Sequence, residues 1–379
     1  MSAQAPPALN LAQSRRQAQR TAPLEGLRVI NVGLFPPPYG GVSIHLERLL
    51  ARLQRAGADC LLIDLSGVPK QHSGVIGLTW AQALLRLAGA RRSIVHFHNF
   101  SARNTLFFWL LSLRHTVILS WHNERFLDQL QALNPLGRKL ATAFLQRLHR
   151  IVVDSQKTWD LARQIVADPN RLVLIPEFLE PNTSGAMTNQ KIISLRERHR
   201  FLVSSNAFSL AFHKGEDLYG VDLLVELIRR LVQERKLDAA LAFLLPVLGT
   251  PHYLSKMLND VERHGLTDRV LFITEPLDEA TPLWRMSDVV VRATNTDGNS
   301  LTVMEALSLG VPVVASDCVD RPEGAIPFRT RDIEDLEVKV ADVLVRADEH
   351  RRRVAALPPP DNGPRFLELY EAMGMRRNQ

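Results

Sequence analysis

The chain has 379 residues, 46% of them hydrophobic and 23% charged, with a net charge of +6. That is ordinary globular composition, with chain enough for a sizeable core and for two or three domains. No run of about 18 uninterrupted apolar residues occurs, so no membrane-spanning helix is expected. The two cysteines, Cys60 and Cys318, are far apart in sequence; they argue against a disulfide framework and suit a reducing cytoplasm. Charge is uneven: residues up to about 185 carry roughly +10 and the remainder about −4. The basic first half suits an anionic surface or acceptor; solvated Arg-rich helix faces are the plainer alternative.

In chain order, residues 1–23 are polar and basic (Arg15, Arg16, Arg20). They lack the apolar core of a secretory signal and read as a flexible tail. Leu27–Leu34 reads as a buried strand, followed by the turn Phe35–Gly41 and by Leu46, Leu49, Leu50 and Leu53 at helical spacing. Trp80, Leu84, Leu85 and Leu87 lie near Arg86, Arg91, Arg92, Arg114, Arg138 and Lys139. That segment either rests on anionic lipid or packs into a core with a wet basic edge. The apolar stretch Leu106–Trp121, interrupted by Arg114 and His115, reads as a buried helix followed by a buried strand. Strands are expected at Cys60–Leu65, Ile94–His98, Thr116–His122, Ile151–Asp154 and Leu172–Ile175. The alternation implies a parallel sheet covered on both faces.

Pro181–Gln190 is polar and turn-rich and is the best linker. A second alternating series follows, with strands at Phe201–Ser205, Ala240–Leu248, Val270–Thr274, Val289–Arg292 and Pro312–Ser316. Its helices include Val221–Val232, and a final helix is expected at Phe366–Met373. The expected architecture is therefore two doubly wound, Rossmann-like α/β domains with a cleft between them. Their bounds are 24–185 and 186–350, and the tail 351–379 packs back on the first domain. In such sheets ligands bind beyond the carboxyl ends of the strands, so those positions hold the candidate chemistry.

Gly40 and Gly41 stand where the first helix begins; there glycine lets a ligand approach the backbone and free N–H groups favour phosphate. A tight turn that merely needs glycine is the alternative. The Gly-x-Gly-x-x-Gly fingerprint is absent, which argues against a dinucleotide-dependent dehydrogenase. Two histidine clusters end strands: His96-Phe97-His98-Asn99 and Trp121-His122-Asn123-Glu124. His96 reads as a packed core residue, and His122 as a group facing a substrate. No carboxylate stands at ligand spacing from His96 and His98, so no metal is expected. The strongest constellation follows Val289–Arg292. Asp297 lies in the loop before a helix beginning near Ser300, Leu301 and Thr302, and Glu305 lies about two turns on. Unpaired N–H groups at that helix start suit a pyrophosphate, with carboxylates on either side for hydroxyls. An N-cap aspartate and a surface glutamate would account for the same residues.

Asp297-x7-Glu305, then Ala306-Leu307 and Gly310-Val311-Pro312-Val313-Val314-Ala315-Ser316-Asp317, resembles the Glu-x7-Glu region of the family-4 retaining glycosyltransferases, within glycosyl transferases group 1. Gly40-Gly41-Val42-Ser43, the strand ending at His122, and Trp284–Val290 are similar to other elements of that family. The resemblance covers about Leu27 to Val345 and is most specific at Asp297–Asp317. It implies a GT-B fold with a nucleotide-sugar donor held mainly by the second domain. It also implies an acceptor held mainly by the first, retention of configuration, and no metal or other cofactor. By position, Glu305 would hold the donor ribose, and Asp297 the sugar or the anomeric centre. His122 would contact the transferred sugar and Gly40 and Gly41 the phosphates; the helix start at Ser300, Leu301 and Thr302 would take the diphosphate charge. Asp297 replaces the usual Glu, and Ser300 stands where glycine is common. The Arg and Lys that the family uses on the leaving diphosphate fall at Asn206 and Tyr219 here, which leaves Lys214, Arg292 and Arg321 as candidate cations. The implied acceptor is a glycan or a lipid-linked one, in surface polysaccharide synthesis, in the cytoplasm or at the inner face of an anionic membrane. No nucleic acid is expected. A catalytically silent nucleotide-sugar-binding partner and a GT-B-type epimerase are the alternatives.

Overall fold

The computed structural model describes residues 23–37, 41–98, 104–121, 129–181, 185–275, 277, 279–297 and 300–375. The chain divides into two compact units: Met1–Leu179 with Asn362–Gln379, and Glu180–Asp361.

The first unit is built on seven parallel strands in the order β3-β2-β1-β4-β5-β6-β7. They are β1 (Arg28–Gly33), β2 (Asp59–Asp64), β3 (Val75–Gly77), β4 (Ile94–Phe97), β5 (Thr116–Trp121), β6 (Arg150–Val153) and β7 (Leu172–Leu174). β1 pairs with both β2 and β4, so the chain reverses its direction of winding there, as in dinucleotide-type sheets. Strands such as Thr116–Trp121, buried at every position, are what a sheet covered on both faces requires. The first helix, α1 (Gly41–Arg55), buries Leu46, Leu49, Leu50 and Leu53 on one stripe. β3 was not foreseen: Gly74 precedes it and Gly77 ends it, and glycine is depleted in strands.

Helix α2 (Trp80–Gly89) is capped by Thr79 and Gln82 in a reciprocal box. It packs into the core through Ala83 and Leu87, while Trp80 stacks on Phe97 with ring centroids 6.3 Å apart. Only Leu85 points its apolar bulk outward, so α2 follows the core-packed reading. The expectation of a buried helix at the start of Leu106–Trp121 needs correction. Helix α3 (Thr105–Ser112) buries Thr105, Phe108 and Leu111 but exposes Leu106, Phe107 and Leu110, and Leu113 beyond its end is 65% exposed. The stretch is apolar on all sides although only one side is covered, which hydrophobicity alone does not reveal. Helix α4 (Pro135–Leu145), capped by Asn134, packs beside α3 with Trp109 stacked on Phe144 at 5.2 Å. It exposes Leu136 and Leu140 in turn. Helix α5 (Gln156–Arg163) follows β6.

The second unit carries a six-stranded parallel sheet in the order β14-β12-β8-β15-β16-β17. Its strands are β8 (Phe201–Asn206), β12 (Ala239–Leu244), β14 (Val270–Ile273), β15 (Val289–Arg292), β16 (Val313–Ser316) and β17 (Ala325–Phe328). Two small pairs stand outside it: β9 (Ser209–Leu210) with β13 (Val247–Gly249), and the hairpin β10 (Phe212–His213) with β11 (Glu216–Asp217). The expected strand Ala240–Leu248 is thus two strands. Pro246 cannot donate to a ladder, and beyond it the chain leaves β12 to pair with β9. The helices are α6 (Gln190–Arg198), α7 (Val221–Gln233), α8 (Pro251–Arg263), α9 (Thr281–Met286), α10 (Leu301–Ser308), α11 (Ile333–Val345) and α12 (Ala347–Ala355).

After α12 the chain rejoins the first unit as α13 (Gly363–Met375). Phe366 and Tyr370 are essentially fully buried there, among Leu49, Leu53, Ile94 and Ile118. Each such aromatic stabilises by about 1.5–3 kcal/mol through burial. The Tyr370 hydroxyl meets His96 Nδ1 at 2.6 Å, and His96 Nε2 meets Ser120 Oγ at 2.8 Å. His96 is therefore the packed, hydrogen-bonded residue that its place within a strand suggested.

Candidate functional site

In the second unit the winding reverses between β8 and β15, and ligands of open α/β sheets bind at such a point beyond the strand ends. The last residue of β8 is Asn206 and the last of β15 is Arg292. Arg292 Nη1 lies 3.4 Å from both the backbone oxygen and Oδ1 of Asn206. Its guanidinium also lies over the Tyr219 ring, 5.3 Å from the centroid. One arginine from β15 thus reaches both positions, Asn206 and Tyr219, at which the sequence lacks the expected Arg and Lys.

Asp297 sits in the loop after β15 with its side chain 8% exposed. It accepts from Arg292 Nε and Nη2, both at 3.0 Å, from Arg321 Nη1 at 2.9 Å and from Thr294 Oγ1 at 3.2 Å. Burial alone would push this carboxyl up; the hydrogen bonds and charges of Arg292 and Arg321 outweigh it and hold Asp297 below the ordinary aspartate range. Arg321, with its side chain 4% exposed, also donates to the Ser316 carbonyl at 2.7 Å and to Ser316 Oγ at 3.1 Å. Ser316 Oγ in turn donates to the Thr294 carbonyl at 2.6 Å. Arg321 is therefore a tie between the ends of β15 and β16. Arg292, whose Nη1 makes only long contacts, is the more available cation.

Helix α10 starts against this cluster. Ser300 is its N-cap, with Oγ accepting from the Val303 N–H at 3.5 Å, and Thr302 Oγ1 donates to Asn206 Oδ1 at 2.8 Å. The first N–H groups of a helix, here from Leu301 onward, have no intrahelical acceptor, and its N-terminus is electropositive. Glu305 lies further along α10 and is 6% exposed; its Oε2 accepts from Trp284 Nε1 of α9 at 2.9 Å. That makes it a buried, oriented carboxylate and not the surface glutamate of the plainer reading.

The structure thus gathers Asn206, Asp297, Ser300, Leu301, Thr302 and Glu305 around one strand-end region and one helix start. Lys214 is different. It occupies the tip of the β10–β11 hairpin with φ 53°, followed by Gly215 at φ 84°, the two positive values of a tight hairpin turn. Its side chain is exposed and makes no hydrogen bond or ion pair among the described residues. The hairpin itself is tethered to the site loop, since Asn295 Nδ2 donates to the His213 carbonyl at 3.3 Å. In the first unit, Gly41 opens α1 just beyond β1, and a Cβ built on it meets nothing within 4 Å. Among the described residues, nothing packs against that backbone. Gly40 and His122 lie outside the described residues. Thr294 and Ser316 were not singled out in advance; a threonine and a serine at strand ends carry no signal until the strands are set side by side.

Residues 211–345 match the family model for glycosyl transferases group 1. The matched segment lies within the second unit and spans about a third of the chain. All the residues that bring Arg292, Asp297, Thr302, Glu305 and Arg321 together, save Asn206, fall inside that segment. No curated protein matches the chain in sequence. Among solved structures, Anabaena HepE in complex with UDP is 14% identical, covers 93% of this chain and 99% of its own, and superposes with a TM-score of 0.62. A glycosyltransferase from Rickettsia africae ESF-5 is 12% identical, with 92% and 99% covered and a TM-score of 0.63. WaaG, a glycosyltransferase involved in lipopolysaccharide biosynthesis, is 13% identical, with 91% and 99% covered and a TM-score of 0.59. At these identities the likeness establishes the fold: two Rossmann-like units of the GT-B class.

Proposed function

We propose that this protein is a group 1 glycosyltransferase that moves a sugar from a nucleotide-sugar donor to a glycan or lipid-linked acceptor with retention of configuration, in surface polysaccharide synthesis. The observation that carries the donor reading is Arg292. It places one guanidinium beside Asn206, over Tyr219 and next to the start of α10, where a leaving diphosphate would need positive charge. Solved structures of Anabaena HepE hold UDP and UDP-glucose, which makes UDP-sugars the first donors to try.

In the proposed reaction the bond between the anomeric carbon and the diphosphate oxygen breaks, and the diphosphate takes the electron pair. Arg292 and the N–H groups of Leu301 and Thr302 offset its growing charge. The sugar passes through an oxocarbenium-like state. The acceptor hydroxyl attacks from the face the diphosphate leaves, and its proton goes to the departing phosphate. Glu305 holds the ribose hydroxyls. Asp297, paired with two arginines, positions Arg292 and is less suited to touch the anomeric centre directly. Gly40, Gly41 and His122 keep the phosphate and sugar roles that the resemblance implies, and Lys214 stays a candidate cation for the diphosphate.

Peripheral contact with an anionic membrane belongs to the same reading. It is supported by the uncovered leucines and phenylalanine of α3 and α4 with Arg138 and Lys139 between them. No helix among the described residues is long and apolar enough to cross a membrane.

The test is a thermal-shift panel of nucleotide-sugars on wild type and Glu305→Gln, followed by transfer assays with the donor that binds. A shift that the variant loses supports the donor site; an equal shift in both removes Glu305 from it. Donor binding without transfer would favour the catalytically silent partner, a reading that the pairing of both nearby arginines with Asp297 supports.

A further inference from the structure

The first unit holds a cavity of about 1210 Å³ at the opposite edge of its sheet from the one where substrates of such folds bind. Its wall is made by the first residues of β1, β2, β5 and β6 and by the residue before β7: Arg28, Asp59, Thr116, Arg150 and Arg171. The loops before β4 and β5 add Arg91, Arg92 and Arg114. A six-residue strand such as β1 separates this edge from the carboxyl ends by roughly 15–20 Å. The cavity is distinct from the donor reading above and does not depend on it.

Six arginines line this space against four carboxylates, those of Glu25, Asp59, Asp168 and Glu371. Asp59 lies 3.5 Å from Arg28 Nε and Asp168 lies 3.4 Å from Arg171 Nε. Both of these Nε atoms are nevertheless buried and without a hydrogen-bond acceptor. Buried guanidinium donors are costly to leave unsatisfied, so two in one cavity are a feature to be explained. Arg91 and Arg114 are exposed and have no carboxylate partner among the described residues. The field is strong enough to act on a neighbour: His149, in the same wall, is driven below the ordinary histidine range by burial and then by Arg171 and Arg150. Its Nδ1 accepts from the Val117 N–H at 3.2 Å, so in the neutral ring the proton sits on Nε2, a further donor.

We infer that this cavity binds a phosphate-bearing ligand with two or more phosphate groups, gripped by the arginines at the amino-terminal edge of the sheet. Arginine forks match phosphate oxygens in pairs, and a compact polyphosphate brings the charge that several convergent guanidinium groups require. Two sources share this chemistry: a soluble phosphate ester and a lipid headgroup. The wall runs on through Ser112 and Leu113 to the uncovered face of α3, which keeps the second source in play.

The experiment uses the full chain, inorganic tripolyphosphate, and phosphatidylcholine vesicles with and without cardiolipin, a lipid that carries two phosphates. Tripolyphosphate binding is measured by calorimetry and located by hydrogen exchange. Arg91→Gln/Arg114→Gln is the main variant, because both side chains are exposed and unpartnered and their loss leaves the fold intact; Arg28→Gln is the second. The expected result is protection in segments 113–118 and 149–152, and affinity that falls roughly tenfold or more in either variant and with added salt. Vesicle binding that needs cardiolipin, is lost in the double variant and is displaced by tripolyphosphate would assign the headgroup as source. Tripolyphosphate binding with no such vesicle binding would assign a soluble ester. Protection confined to segment 292–306, or no binding in either arm that responds to Arg91, Arg114 and Arg28, would overturn the inference.

Discussion

Arg292 and Asp297, five residues apart, meet through two parallel hydrogen bonds of 3.0 Å, and Arg321 closes on the same carboxylate from 24 residues downstream. A side-on guanidinium–carboxylate pair fixes both partners in angle as well as distance. Asp297→Asn would leave two nearly buried guanidinium groups facing a neutral amide. The expected loss is about 3–5 kcal/mol of stability, together with weaker donor binding. Urea unfolding of the variant measures the first; an unchanged midpoint would mean that the pair does not hold this loop.

The same pair predicts a pH dependence. The folded value of Asp297 lies below its unfolded value near 3.8. Its contribution is therefore complete above the unfolded value and is lost as pH falls through the folded one. Between about pH 5 and pH 2, wild type should lose more stability than Asp297→Asn, so that the two unfolding curves converge in acid. Parallel curves across that window would show that Asp297 titrates normally.

Glu305 separates a binding role from a structural one. Glu305→Gln keeps an oxygen for the Trp284 N–H at 2.9 Å, so stability should change by less than about 1 kcal/mol while donor affinity falls. Glu305→Ala also strands the buried indole N–H and should cost about 1–3 kcal/mol more. Thermal denaturation with and without donor distinguishes the two. A Gln variant as unstable as the Ala variant would argue that the carboxylate only supports Trp284.

Gly220 and Gly215 form a matched comparison. Both have positive φ, 68° and 84°. A Cβ on Gly220 would stand 2.4 Å from the Ala293 carbonyl oxygen, whereas one on Gly215 meets nothing within 4 Å. Gly215→Ala should cost about 1–2 kcal/mol from backbone strain alone. Gly220→Ala should cost distinctly more and should disturb the turn leading to Thr294. Equal losses would show that the chain around Ala293 yields freely.

The uncovered face of α3 and α4 predicts vesicle binding. Leu106→Ser/Leu110→Ser should reduce flotation on phosphatidylglycerol vesicles several-fold while leaving the melting temperature nearly unchanged, since both side chains are exposed. Flotation that survives this change would place any lipid contact elsewhere.

The strand–helix alternation and the Asp297-x7-Glu305 run were legible in the sequence because strand ends and helix starts are local signals. The pairing of Asp297 with Arg321 was not, since nothing near either residue announces the other. The candidate cations Lys214, Arg292 and Arg321 were legible, but the choice among them was not: only the pairing of β15 with β8 brings Arg292 to Asn206 and Tyr219. Hydrophobicity misjudged Leu106–Leu113 because an all-apolar helix looks the same whether covered on one side or on both. β3 was missed because glycines flank and end it, and β17 because Pro327 within it is tolerated only at a sheet edge; the break at Pro246 was missed because strands on either side of it look continuous.

Helix Gly363–Met375 brings Tyr370 into the core of a unit whose other residues all precede Glu180. The second unit is therefore continuous in sequence and the first is not. During synthesis, residues 180–361 have all their own contacts available before the first unit has its last helix. The amino-terminal sheet must then wait, with Ile94, Ile118 and the His96 ring still uncovered, until α13 has been made. The usual order of folding, amino-terminal unit first, is thereby reversed for the final step. The bare sheet face is the stage of biogenesis at which this chain most needs protection from aggregation.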